Sequence, residues 1–173
     1  YYSLSLVLMT NLDNRVLLGE NATFTKDLSR NQNNGTIEGA LITDGKFGQG
    51  FNFDGIDDRI TFPDKDDFSV ATTGSFSVEV WLRPNSTIFS GEGGINSYIH
   101  FLGKGISSEH EWSFRQYNNS NIEGRPDRLS FYVFNKTGGT GIGSYVQEPI
   151  IPGEWIYLVG IANGSHTQLW KNG

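Results

Sequence analysis

Asp27, Ser29, Asn31 and Asn33 set an oxygen-bearing side chain at every second position of the stretch DLSRNQNNG, and Glu38 follows eleven residues after Asp27. Oxygen ligands at that spacing, closed by an acid, are how a loop of the type D-x-[DN]-x-[DN] surrounds calcium. The same residue types also build tight surface turns, because they cap or tolerate unusual backbone angles. A helix–loop–helix calcium hand is excluded, since Gln32 stands where that loop needs Gly and no helical pattern flanks it. A second acidic group, Asp54, Asp57, Asp58, Asp64, Asp66 and Asp67, falls within fourteen residues and is answered by Arg59 and Lys65. It reads either as a solvated loop region or as a hard-cation site.

Acid–base chemistry on a glycoside needs two carboxylates, about 5 Å apart for a retaining pair. The segment FSVEVWLR (76–83) offers only Glu79, between Ser77 and Trp81 on its face. His100, His110 and His166 are far apart in sequence and carry no nucleophile-elbow or zinc-protease motif around them. The sequence therefore predicts no catalytic residues and no enzyme. A binding surface is the better expectation. Glu79, Trp81 and Arg83 share one face, and with Tyr132 they make a candidate carbohydrate-contact set, in which rings stack on sugars and polar neighbours fix hydroxyls. The alternative is that these aromatics serve packing beneath loops.

The net charge is −6, with 13 scattered Lys and Arg that form no basic stripe, so a nucleic-acid partner is not expected. No apolar run approaches the roughly 20 residues that span a bilayer. The early SLSLVLMT lacks a preceding basic region and is not read as a signal peptide. Cysteine is absent, which removes disulfides and thiol chemistry. Glycosylation acceptors N-x-[ST] occur at Asn21, Asn34, Asn85, Asn118, Asn135 and Asn163, more than the content of Asn, Ser and Thr gives by chance. Many acceptors without cysteine fit an archaeal surface protein better than a disulfide-bonded ectodomain, and the expected location is extracellular or at the cell surface.

The elements that must position these residues have a period of two. Phe76, Val78, Val80 and Leu82 alternate with Ser77, Glu79, Trp81 and Arg83, and Leu129, Phe131 and Val133 alternate with Ser130, Tyr132 and Phe134. Further strands are expected at Leu4–Thr10, Phe47–Phe53, Arg59–Phe62, Tyr98–Leu102, Trp112–Tyr117, Trp155–Ala162 and Thr167–Lys171, with FNFDGIDDRITF as a hairpin turning at Asp54-Gly55. Gly-rich stretches such as SGEGGINS and KTGGTGIG read as connections. The pattern predicts one all-β domain over 1–173, an antiparallel two-sheet β-sandwich.

Four blocks carry a resemblance in their order along the chain: DLSRNQNNGTIEG, GKFGQGFNFDGIDDRITFP, GSFSVEVWLRP and GEWIYLVGIANGSHTQLWKNG. Together they resemble the laminin-G-like jelly-roll domain of the concanavalin A-like lectin and glucanase superfamily, with Arg30 where that family usually has Gly. The resemblance implies a jelly-roll sandwich and one structural calcium ion near the N-terminal strand. For that ion it points to Asp27 first, then Asn31 or Asn33, with Asp13, Asp54 and Asp57 as alternates. The family usually continues for further strands after the block ending in Gly173, so the expectation is that a longer chain or a second copy completes the sheets. The function implied is adhesion or carbohydrate binding, with a glycan or a cell-surface protein as partner. The alternative is a self-assembling subunit of a surface layer, sheath or filament, whose partners are copies of itself.

Overall fold

The computed structural model describes residues 5–69, 74–91, 94–95, 97–106, 109–134 and 141–173. The described residues form an all-β chain in which every strand pairing is antiparallel, with single helical turns at Val16–Leu18 and Asp66–Phe68. The chain divides into two compact units, Tyr1–Phe68 and Ser69–Gly173.

The first unit holds β1 (Phe24–Thr25), β2 (Gly35–Glu38), β3 (Leu41–Asp44), β4 (Gln49–Asn52) and β5 (Arg59–Thr61). Strands β1, β2 and β5 make one small sheet, and β3 with β4 makes a separate hairpin. This corrects the expected hairpin in FNFDGIDDRITF. Strand β4 pairs backwards with β3, because Gly48 at φ 69° closes a turn in which the Gly45 N–H donates to the Gly48 carbonyl at 2.9 Å. Strand β5 pairs instead with β2, where Arg59 stands opposite Glu38 and forms an ion pair with it. The acid that seemed to close the oxygen ladder is thus a sheet residue with its own cation. A second correction concerns the expected strand Leu4–Thr10: its described residues, 5–10, join no ladder.

The second unit holds β6 (Phe76–Leu82), β7 (Ser90–Gly91), β8 (Gly94–Ile95), β9 (Tyr98–Lys104), β10 (Trp112–Tyr117), β11 (Arg128–Phe134), β12 (Gly141–Gln147), β13 (Ile156–Ala162) and β14 (Thr167–Lys171). Two sheets result, ordered β12-β11-β10-β9 and β14-β13-β6, beside the small hairpin β7-β8. Alternation sends one side chain in two inward from each sheet. Trp112, Phe114, Leu129 and Phe131 from the four-stranded sheet share one core with Ile156, Leu158 and Ala162 from the other, and Phe76, Val78, Val80 and Leu82 pack against it. The expected apolar face of 76–83 is therefore borne out. Rings interlock edge-on across the core, with Phe76 and Phe131 centroids 5.9 Å apart. Gly160 makes room for them, since a Cβ there would stand 2.6 Å from Phe114 Cζ. The stretch KTGGTGIG, read from sequence as a connection, runs into strand β12, whose residues Gly141–Gln147 pair one for one with β11.

Candidate functional site

The opening loop is a clasp built on one buried carboxylate. Asp27 is 1% exposed. Its Oδ1 accepts the N–H groups of Met9 at 3.0 Å and Ser29 at 2.8 Å, while Oδ2 accepts the Ser29 hydroxyl at 2.7 Å and the Asn33 N–H at 2.8 Å. Around it the other members of the ladder turn donors towards the early chain. The Nδ2 groups of Asn31 and Asn33 donate to the Val7 carbonyl, and Asn31 also reaches that of Leu6. The Ser29 hydroxyl, whose one proton goes to Asp27, has the Val7 carbonyl 3.1 Å away as its alternative acceptor. Side chains thus do for residues 6–9 what a neighbouring strand would have done. Burial alone would raise the Asp27 pKa, yet the converging donors outweigh it and hold the carboxyl below its ordinary value of 3.8.

These contacts bear on the calcium ion that the resemblance implies. All four acceptor positions of Asp27 are taken, and Asn31 and Asn33 present N–H groups rather than oxygens to the segment they hold. A cation there would have to displace those donors, so this set does not fit it. Asp13 is also engaged, with Oδ1 accepting the Gln49 N–H at 2.9 Å and Oδ2 facing the Arg15 guanidinium at 3.3 Å. The alternates Asp54 and Asp57 do come together, and Asp58 joins them: one carboxylate oxygen from each lies within 4.8 Å of the others. Oxygens on opposite sides of a calcium ion stand about twice its 2.3–2.6 Å bond apart, so the spacing is compatible with the ion. Two of these oxygens have partners already: Asp54 Oδ1 accepts the Ile56 N–H and Asp58 Oδ2 the Asp54 N–H, both at 2.8 Å.

The carbohydrate candidates separate onto two surfaces. Glu79 and Trp81 lie on the outer face of the three-stranded sheet, opposite Val159 and Tyr157 on β13. The Trp81 ring stacks on Tyr157 at 5.0 Å between centroids, and the Tyr157 hydroxyl donates to the Glu79 carboxylate, which raises the Tyr157 pKa. Arg83 caps the Trp155 ring at 5.1 Å. Trp170 points outward at 52% exposure, and Leu169 takes the inward place. On this surface Glu79 has the Tyr157 hydroxyl and Arg83 the Trp155 ring as partners.

Tyr132 lies elsewhere, on the outer face of the four-stranded sheet. Register places Tyr98, His100, Ser113, Arg115, Ser130, Tyr132 and Phe134 on that face together. Glycines pave strand β12 beneath the rings: a Cβ on Gly143 would collide with Tyr132, and one on Gly141 would stand 2.8 Å from the Phe134 ring. The two rings consequently lie near-parallel, 23° apart. Over them sits the Arg115 guanidinium, 4.3 Å from the Tyr98 centroid, 4.8 Å from Tyr132 and 5.2 Å from Phe134. Arg128 lies over Tyr145 at 3.8 Å and donates twice to Gln147. Arg125 adds a third cation against Tyr117, with Glu123 as its ion-pair partner at 3.2 Å.

Electrostatics on this face follow from the guanidiniums. Burial, then the charge of Arg115 and then His110, push the His100 pKa down to about 3, and His100 stacks on His110 at 4.0 Å. His100 is therefore neutral at physiological pH, and the arginines carry the positive charge. Burial opposes ionisation of Tyr117 as well, but hydrogen bonds from Tyr132, Arg115 and Arg125 prevail and lower its pKa. Three polar atoms have no such partner. The hydroxyls of Ser113 and Ser130 and the Nε of Arg115 are buried and make no hydrogen bond among the described residues.

The glycosylation acceptors also divide. Asn21, Asn85 and Asn163 are exposed, and Asn34 is half-buried with its Oδ1 accepting the Asp27 N–H. At Asn21 and Asn163 the Oδ1 accepts both the N–H and the hydroxyl of the Thr or Ser two residues on. Asn118 is 0% exposed and its Nδ2 donates to the Phe89 carbonyl, so it is no acceptor in the folded chain, a correction to the sequence expectation. Asn135 lies outside the described residues.

Sequence reasoning missed Arg115, His100, Tyr98 and the β12 glycines. The alternation W-S-F-R-Q-Y was visible, but nothing local in it shows that Arg115 shares a face with Tyr132. Comparison with known proteins adds no relative: no family model, no curated protein and no solved structure matches the chain.

Proposed function

We propose that this chain is a non-catalytic extracellular binding module of the laminin-G-like, concanavalin A-like jelly-roll type, and that it binds carbohydrate on the outer face of the β9–β12 sheet. The four sequence blocks support the jelly roll, and the two sheets of the second unit sharing one core agree with it. One observation carries the choice of face: Arg115 is poised over Tyr98, Tyr132 and Phe134 on a sheet where Gly141 and Gly143 leave room for the rings. Flat rings beside fixed polar groups are what sugar rings stack on. The lone carboxylate of β6, Glu79, is held by Tyr157 and supports a non-catalytic reading. Asn21, Asn85 and Asn163 are the positions proposed to carry glycans, and Asp54, Asp57 and Asp58 the residues proposed to hold a structural calcium ion.

The test is a glycan array probed with the purified chain and two variants, each checked for unchanged melting. Tyr132→Ala should lose binding while Trp81→Ala keeps it. Loss in Trp81→Ala alone would move the site to the other sheet. A blank array would remove the carbohydrate reading.

A further inference from the structure

The cations of the four-stranded sheet are out of keeping with the rest of the chain. The protein carries a net charge of −6, yet this face gathers Arg115, Arg125 and Arg128. Glu123 answers Arg125. Arg115 and Arg128 have no ion pair among the described residues. Asp127, the acid just before β11, is buried and accepts from the Asn119 amide through Oδ2 at 2.7 Å. Glu111, just before β10, pairs with Lys104 at 3.5 Å. Arg115 and Arg128 stand on adjacent strands, Arg115 opposite Ser130 and Arg128 two residues further along the same face. That diagonal separates them by about 7–8 Å at the backbone.

A guanidinium fixed over aromatic rings offers N–H groups of its planar fork to an acceptor, and Arg128, whose Nε and Nη2 already donate to Gln147, still has Nη1 to offer. Two such groups beside stacking rings describe a surface for a sugar that itself bears a planar anion. We infer that the ligand of this face is an acidic saccharide of the uronic acid class, its carboxylate met by Arg115 and Arg128 while its ring lies against Tyr132. This rests on the carbohydrate-binding reading above and specifies its ligand. The Ser113 and Ser130 hydroxyls and the Arg115 Nε lie on the same face, so the site also holds buried donors that find no acceptor among the described residues. His100, kept neutral next to Arg115, adds no like charge that the saccharide would have to overcome.

The probes are an oligogalacturonic acid and its methyl ester, which keeps every ring and hydroxyl but loses the charge. Binding is measured by calorimetry at physiological ionic strength, with dextran sulfate as a third arm. The acid should bind about tenfold or more tightly than the ester, as charge-assisted paired hydrogen bonds imply. Arg115→Gln and Arg128→Gln should each bring that ratio towards one, and Arg59→Gln, in the other unit, should leave it unchanged. Arg128 is the less enclosed of the two, so it decides the matter if Arg115→Gln fails to fold. Equal affinity for acid and ester would overturn the inference while leaving a carbohydrate-binding face in place. A preference that survives both arginine variants, or one that Arg59→Gln weakens as much as they do, would also overturn it. Dextran sulfate binding as tightly as the uronate would reduce the recognition to diffuse charge and refute the assigned class. No binding of any of the three probes, together with a blank array, would bring down both readings.

Discussion

Replacing Asp27 by Ala should undo the clasp on residues 6–9, and the size of the effect follows from its partners. Four donors lose their acceptor, but they do not suffer equally. The Ser29 hydroxyl already has the Val7 carbonyl at 3.1 Å to fall back on. The N–H groups of Ser29 and Asn33 have no such recourse, and both bonds are buried. The Met9 N–H is partly reached by solvent. At about 1–3 kcal/mol for each buried donor left unpaired, the loss is roughly 3–5 kcal/mol. That is a large fraction of the roughly 5–15 kcal/mol that stabilises a typical protein. Asp27→Asn keeps Oδ1 and its two bonds, and the Ser29 hydroxyl can rotate to accept. Only the Asn33 N–H then meets another donor, and the cost falls to roughly 1–3 kcal/mol.

The assay must look at the correct unit. Trp81, Trp112, Trp155 and Trp170 all belong to the second unit, so tryptophan fluorescence is blind to the first. Amide hydrogen exchange read by NMR at Met9, Ser29 and Asn33 reports the clasp directly. Protection should fall in the order wild type, Asp27→Asn, Asp27→Ala. Acid gives an independent check. The folded carboxyl titrates below its ordinary 3.8, so the unfolded chain binds the proton more readily. The stabilisation is therefore complete above that value and fades as pH falls through the lower folded one. Wild-type protection should decline below about pH 3.8, and Asp27→Asn should not share that component. If Asp27→Ala leaves exchange at these amides unchanged, the early segment is held by something other than this carboxylate.

Other expectations are simpler. Gly160→Ala would place a methyl 2.6 Å from Phe114 Cζ and 2.8 Å from Phe131 Cδ2. Overpacking of that kind costs about 1–3 kcal/mol, and urea unfolding followed by tryptophan fluorescence should show it as a lowered midpoint. Asn118→Gln breaks the buried bonds to Phe89 and Ser120 and should destabilise by about 1–3 kcal/mol, whereas the exposed Asn21→Gln should cost little. In a glycosylating host, intact mass should register one glycan fewer for Asn21→Gln and no change for Asn118→Gln. Millimolar calcium should raise the melting temperature of wild type and of Asp27→Asn but not of Asp57→Asn. A melting temperature that is the same in chelator and in calcium would dismiss the Asp54, Asp57 and Asp58 site.

Strand periodicity was legible because burial writes it directly into the alternation. Phe76 to Leu82 and Leu129 to Val133 read inward from the sequence and lie inward in the core. Partner choice was not legible. FNFDGIDDRITF has the turn residues of a hairpin, yet Gly45 and Gly48 had already committed β4 to β3. Strand β12 was hidden because its glycines serve the rings of β11, a cross-strand fit that local propensity does not register. The stretch 5–10 was read as a strand on its apolar content, although its backbone is satisfied by side chains of a loop twenty residues later. The same long-range blindness divided the carbohydrate candidates. Trp81 and Tyr132 are both outward aromatics of strands, and the sequence holds nothing that assigns them to different sheets.

Hydrogen-bond accounting separates those two surfaces where aromatic content does not. On the Trp81 side the carboxylate has its phenol, and the indole has its stacked ring. The Tyr132 side is built the other way: two buried hydroxyls and a buried guanidinium nitrogen go without acceptors among the described residues. Among the described residues a half-buried Arg115 is offset by ring faces and hydroxyls, with no carboxylate paired to it. A cation withdrawn from water without a counter-charge is costly, and that cost persists where a ligand supplies what is missing. His100 registers the charge as well, its proton expelled first by burial and then by Arg115. An anion seated against Arg115 would supply the absent counter-charge and move the His100 pKa back towards its ordinary 6.5. The ring titration of His100, with and without uronate, thus reads from inside the sheet whether that charge has been supplied.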